Sequence, residues 1–203
     1  ADPNRRFSQS TSRMSFRIET ERLIIREWSE SDLAPFLDIA SDPEVMRFIG
    51  AGTPWTQSQV EEFLGRQRES VESHGFCVGA LESKADGQLL GHCGIQYLGT
   101  DGDIEVGWWL AKRQWGQGFA TEAGRGALTF AFDELKLDRV LAIAHPENKP
   151  FHRVMEGLGM RFQRQLRGGE LGLPPLKAER VLYRIFRQEF VRGNADQSGS
   201  SAA

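Results

Sequence analysis

The stretch Arg113-Gln114-Trp115-Gly116-Gln117-Gly118-Phe119-Ala120 constrains this 203-residue chain more than any other. Upstream of it, Ile104, Val106, Trp108 and Leu110 alternate with Glu105, Gly107 and Trp109, the period-two pattern of a strand. Downstream, Ala120, Ala123, Ala127, Leu128, Ala131, Phe132 and Leu135 recur at three- and four-residue steps, which predicts a helix with one buried face. Between the two, Gly116 and Gly118 have no Cβ, so the backbone can take positive φ and turn successive N–H groups toward one point. The start of the helix aims its positive end at the same place. Strand, glycine loop and helix in direct succession predict a cradle for an anion such as a pyrophosphate.

A lone GxG also fits a plain tight turn before a helix, so context decides. There is no GxxxxGK[ST], and no GxGxxG follows an early strand, which sets aside P-loop and dinucleotide-binding folds. A net charge of −3 argues against a general nucleic-acid-binding surface, which needs a basic stripe. Arg164, Arg167, Lys177 and Arg180, around the last hairpin, read as a solvated basic loop. Cys77 and Cys93 are too few for a disulfide scaffold and lack metal-ligand spacing. They read as buried reduced thiols, in keeping with a cytoplasmic setting. No stretch approaches the roughly 20 apolar residues of a membrane helix, and the first residues have no apolar signal core.

A hydrophobic content of 39% suits one compact domain, expected over residues 16–191. The polar stretches 1–15 and 192–203 read as disordered tails. Within the domain, strands are expected at 23–28, 76–81, 89–97, 104–110, 139–144, 160–166 and 180–186. Asp86-Gly87 marks a hairpin turn. Helices are expected from Ser31-Asp32 to near Asp42-Pro43, over 56–73, over 120–135 and over 150–158. The outcome is a mixed α/β sheet.

Several of these segments together resemble the GNAT superfamily of N-acetyltransferases. Arg113-x-x-Gly116-x-Gly118 followed by Phe119-Ala120-Thr121-Glu122-Ala123 is similar to its acetyl-coenzyme A loop. Thr20-Glu21-Arg22-Leu23-Ile24-Ile25-Arg26 resembles the first strand of the branch that holds the ribosomal-protein N-terminal acetyltransferases (RimJ/RimL-like). Glu105-Val106-Gly107-Trp108-Trp109-Leu110 resembles its fourth strand. His145-Pro146-Glu147-Asn148 with Arg153-Val154-Met155-Glu156-Gly157-Leu158-Gly159-Met160 resembles the segment after its fifth.

The resemblance implies a GNAT fold: a mostly antiparallel seven-stranded sheet, splayed between the fourth strand (104–110) and the fifth (139–144), with about four flanking helices. It implies acetyl-coenzyme A as cofactor and no metal. The pantetheine arm would lie in the V along the backbone of Trp109, Leu110 and Ala111. Gln114, Gly116, Gln117, Gly118, Phe119, Ala120 and Thr121 would surround the pyrophosphate, with Asn148 and Phe151 beside the arm.

The implied reaction is direct attack of an amine on the acetyl thioester through a tetrahedral intermediate. No Gly-x-Ser-x-Gly elbow is present and neither cysteine sits in a nucleophile motif. Proton handling depends on the acceptor: freeing a lysine amine of pKa ~10.4 at pH 7 costs roughly 4.6 kcal/mol, an α-amine near 7.8 about 1.1. Glu105 is the candidate general base, directly or through a water, or else a paired strand carboxylate. His145 is an alternative acid or base. Asn148 either holds the arm or an ordered water, caps the helix beginning at Pro150, or does both.

Two positions depart from the family: Phe151, where this branch commonly has Ser, and Met155, where many other members have the Tyr that protonates the leaving thiolate. No general acid is evident; a thiol pKa near ~8.5 still makes the thiolate a fair leaving group. The aromatics Trp28, Phe48, Trp55, Phe76, Tyr97, Trp108 and Trp109 read mostly as core. Trp55, in the glycine-rich link 48–55, and Trp108 are the acceptor-facing candidates. The acceptor expected is a protein or peptide α-amine, with a small-molecule amine (antibiotic, polyamine or amino acid) as alternative. A coenzyme A-binding sensor that lost turnover is the reading from a different class. No nucleic-acid or membrane partner is expected, and a homodimer is left open.

Overall fold

The structure is a computed structural model that describes residues 16–166, 170–172 and 179–191. Both stretches read as tails lie outside the described residues, as do Arg167 and Lys177. Eight strands form one sheet: β1 (Arg17–Glu19), β2 (Leu23–Arg26), β3 (Val78–Ser83), β4 (Leu89–Leu98), β5 (Asp103–Leu110), β6 (Arg139–Ala144), β7 (Arg161–Leu166) and β8 (Arg180–Phe186). Their order is β1-β2-β3-β4-β5-β6-β8-β7, and every neighbouring pair is antiparallel except β5–β6. The helices are α1 (Leu33–Ala40), α2 (Pro43–Met46), α3 (Gln57–His74), α4 (Phe119–Thr129) and α5 (Lys149–Gly157).

Seven expected strands become eight because β1 has three residues and one buried side chain, Ile18, too short to display a period of two. The helix expected to run to Asp42-Pro43 ends at Ala40. Asp42 then caps the separate α2, accepting from Glu44 N–H at 2.8 Å, with Pro43 in its first turn. α3 shows why its bounds were legible. Thr56 and Gln59 cap each other reciprocally, and Gly75 ends the helix at φ +81°. The helix expected over 120–135 is α-helical to Thr129 and then widens into a π turn, Phe130–Glu134, closed by Leu135 N–H to the Phe130 carbonyl at 3.2 Å.

Strand alternation divides the core between two faces. Ile104, Val106, Trp108 and Leu110 of β5 face α4 and α5, packing with Ala123, Ala127, Leu128 and Met155. On the opposite face, α1 and α3 cover one end of the sheet through Phe36, Val60 and Phe63, which pack with Trp28 from the link after β2. A separate cluster of Leu98, Leu141, Leu166 and Leu182 closes the other end. Two apolar caps on one face leave ground between them, and the candidate site lies there.

Candidate active site

The glycine loop has the backbone shape expected of it from the sequence. Gly116 and Gly118 sit at φ +74° and +79°, where a side chain would be strained. Among the described residues no atom lies within 4 Å of a Cβ position at Gly116. Gly118 is the N-cap of α4, and no side chain caps this helix. Its first amides thus lack a side-chain cap among the described residues, the arrangement that suits a diphosphate. Phe119, Ala120 and Thr121 form the half-buried first turn. The side chains of Gln114 and Gln117 knit the loop itself. Gln117 Nε2 donates to the Arg113 carbonyl at 3.0 Å and to Gln114 Oε1 at 3.2 Å, while Gln114 Nε2 donates to Gln88 Oε1 at 3.1 Å.

Thr20, Arg22 and Glu122, present in the sequence motifs but given no site role there, brace the loop from behind. Glu122, in the first turn of α4, accepts from Thr20 Oγ1 at 2.6 Å, Arg22 N–H at 2.7 Å and Arg22 Nε at 2.6 Å. Burial pushes its carboxyl up, but the Thr20 and Arg22 hydrogen bonds outweigh this and hold it below its ordinary value. Arg22 Nη1 also donates to the Gln117 carbonyl at 3.2 Å, and its guanidinium lies 4.6 Å from the Phe119 ring centre. Loop and β2 are thus tied across about a hundred residues of chain, a distance over which no local pattern carries a signal.

Beside the cradle the sheet opens. β5 pairs with β4 along its whole length, from Gly91–Leu110 to Leu98–Asp103, but meets β6 at a single pair, Glu105 with Leu141. Beyond that point the parallel strands part, giving the splay expected there. The Ala111 N–H donates to the Leu90 carbonyl at 2.8 Å. Since the main-chain groups of successive strand residues point to opposite edges, Trp109 and Ala111 address β4, and Trp108 and Leu110 address the opening. Of the three residues expected to offer backbone to the pantetheine arm, the edge therefore presents Leu110. Its carbonyl accepts from Trp115 Nε1 at 2.9 Å, which leaves its N–H.

Glu105 stands where the fork closes, on the face away from α4. Gln96 Nε2, opposite it on β4, donates to Glu105 Oε1 at 2.8 Å. The carboxyl is partly accessible yet set deep among protein atoms, and desolvation raises its pKa to about 7 against the Gln96 hydrogen bond. A carboxyl poised there is half ionised near neutral pH, the condition for proton exchange.

The remaining sequence-predicted residues spread around this point. Trp55 and Trp109 lie on the Glu105 face, 4.8 Å apart in a T-shaped pair. Trp108 does not join them. It is on the opposite face, 5% exposed, stacked on Phe151 at 4.3 Å, so packing replaces the acceptor-facing role expected of it. The same stack accounts for a Phe at 151, and Met155 is fully buried. Asn148 caps α5, its Oδ1 accepting from Phe151 N–H at 3.3 Å.

His145 lies four residues beyond Leu141, roughly 13 Å along the strand from the Glu105 level at 3.3 Å per residue. Its Nδ1 accepts from Glu147 N–H at 3.2 Å, and its ring packs against Phe48 at 5.2 Å. Cys77 and Cys93 are buried free thiols, pushed up to about 12 chiefly by desolvation, far from a reactive thiolate.

His92 carries no sequence signal of its own. It lies on β4, 4% exposed among Phe36, Phe63 and Trp109, with neither ring nitrogen hydrogen-bonded among the described residues. Desolvation depresses its pKa to about 3. Among the described residues, no group of His, Cys, Asp and Glu could hold a metal ion, and no helix is long and apolar enough to cross a membrane.

A glycine-led helix start beside a sheet forked at a carboxylate is an arrangement suited to an acyl-transferring α/β domain. The chain belongs to the acetyltransferase (GNAT) domain family, whose model matches residues 22–161. It is 30% identical over 154 residues to the uncharacterized N-acetyltransferase p20 of Bacillus licheniformis, covering 74% of this chain and 85% of that one. It is 30% identical over 125 residues to "Putative ribosomal N-acetyltransferase YdaF" of Bacillus subtilis, covering 61% and 66%. The crystal structure of a GNAT-family acetyltransferase from Bacillus anthracis superposes with a TM-score of 0.72 at 26% identity, over 85% of this chain and 99% of that one. The protein is an enzyme of the GNAT N-acetyltransferase kind.

Proposed function

We propose that the protein transfers the acetyl group of acetyl-coenzyme A to the α-amine of a protein or peptide. The observation that carries this reading is the carboxyl of Glu105, raised to about 7 at the closing point of the fork. Acetyl-coenzyme A supplies the activated acyl group when bound. The amides at Gly118 and the first turn of α4 would hold its diphosphate. The Leu110 N–H would bond its amide arm as an added strand does. Glu105 would take the proton of the incoming ammonium.

A base of pKa about 7 suits that acceptor. Proton transfer from an α-ammonium near 7.8 is uphill by about 1.1 kcal/mol, and from a lysine near 10.4 by about 4.6. The likeness to YdaF, named for ribosomal N-acetylation, points the same way. One observation favours a small-molecule amine instead. Phe48 packs on His145, and Arg180 Nη2 donates to the Gly50 carbonyl at 3.0 Å, both joining the 48–55 link to strands on the far side of the fork and narrowing its mouth.

Steady-state thiol release with a panel of free α-amine peptides, α-blocked lysine peptides and small amines separates these readings. The α-amine peptides are expected to give the highest kcat/KM. Preference for small amines would favour the second reading. Stoichiometric binding of acetyl-coenzyme A with no amine-driven release would leave a sensor.

A further inference from the structure

The acceptor face of the sheet has a bare patch at its centre. On β5, Glu105, Gly107 and Trp109 follow Asp103 along that face, each about 7 Å from the next. The β4 residues paired with them are Gln96, Gly94 and His92. Two glycines thus lie side by side between a Gln–Glu pair and a His–Trp pair. They occupy the ground that separates the α1–α3 cluster from the cluster of Leu98, Leu141 and Leu182.

The two glycines have different reasons to be there. At Gly94, φ is +154° and a Cβ would come within 2.3 Å of the Cys77 carbonyl oxygen, so the fold itself requires glycine. Gly107 has no such need: its φ is not in the left-handed range, and among the described residues no atom lies within 4 Å of where its Cβ would stand. Glycine in the middle of a central strand is disfavoured, and often marks a close approach by a ligand or another backbone. Among the described residues no other backbone makes that approach.

Resting on the acetyl-transfer reading above, we propose that Gly107 is the floor of the acceptor slot, and that the slot takes a primary amine bearing an apolar, aryl-sized substituent. The amine lies toward Glu105 and the substituent toward Trp109 and Trp55. The Trp109 end is walled by aromatic rings, Trp55 at 4.8 Å and Phe63 at 6.2 Å. Among the described residues, the titratable group in ring contact with it is His92, 4.5 Å from Trp109, and burial without a hydrogen-bond partner keeps that ring neutral, so no charge there would favour an acidic or cationic substituent.

Two bisubstrate probes test this by calorimetry: coenzyme A whose sulfur carries an N-phenethyl acetamide, and the same with an N-methyl acetamide. Wild type should bind the phenethyl probe at least tenfold more tightly than the methyl probe. Gly107→Val should abolish that difference while binding coenzyme A within threefold of wild type, and Gly107→Ala should fall between. Equal binding of the two probes by wild type, or a difference retained in Gly107→Val, overturns the assignment. If wild type binds no coenzyme A, the acetyl-transfer reading falls and the slot with it. If the tenfold difference is present but no amine is turned over, the slot stands and only the transfer reading falls.

Discussion

Glu105 concentrates the chemistry at the residue scale. With its carboxyl raised to about 7, the ionised base is the minor form at pH 6 and the major form at pH 8. The rate limited by proton removal should therefore climb with pH and level off above about 7. Glu105→Gln should lower kcat/KM by about 10²–10⁴ for amines that enter as ammonium and flatten that step; a pH–rate profile on both proteins checks it. An equal loss for amines of every pKa would contradict a base role. Strand alternation made Glu105 and Trp109 legible as one face, and Trp108 as the other. Nothing in the sequence says which face receives the acceptor, because that depends on which helices fold over each side. Gly107 is silent in the sequence for a similar reason: its meaning comes from Gly94 beside it, and the β4–β5 register is a property of the pairing, not of either segment alone.

At the scale of elements, the strand–loop–helix unit was the part read most directly, since all its determinants are local: alternation, two glycines and a helical stripe. Gly118→Val places a β-branched residue at φ +79° and should distort the cradle, weakening coenzyme A binding by tenfold or more in calorimetry. α5 carries a second local determinant. Asn148→Ala removes the acceptor for Phe151 N–H and should lower stability by about 1 kcal/mol in urea titration, with a larger effect on turnover only if the side chain also touches the arm. β1, α2 and the π turn were not legible, being too short to show a period or, at Phe130–Glu134, a local widening within a helical pattern that stays regular in sequence.

For the whole molecule, His92 sets a penalty that acid should reveal. Its folded-state pKa, near 3, lies below the ordinary 6.5, so the unfolded chain takes up a proton that the fold refuses. The neutral ring's contribution is whole above about pH 6.5 and drains away as pH falls from there toward 3, by up to about 1.4 kcal/mol per pH unit. His92→Leu should therefore gain on wild type by about 2 kcal/mol between pH 6.5 and 5, measured by denaturant unfolding at each pH. Global architecture carries a further consequence. The sheet is two leaves, β1 to β5 and β6 to β8, stitched in the ladder by one residue pair. Such a seam is the natural line of weakness, and whatever slides into it acts as a missing thread. Amide exchange at Leu110 should be quick in the free protein and slow once the thioester is present, while both leaves come to melt as a single unit at a higher temperature.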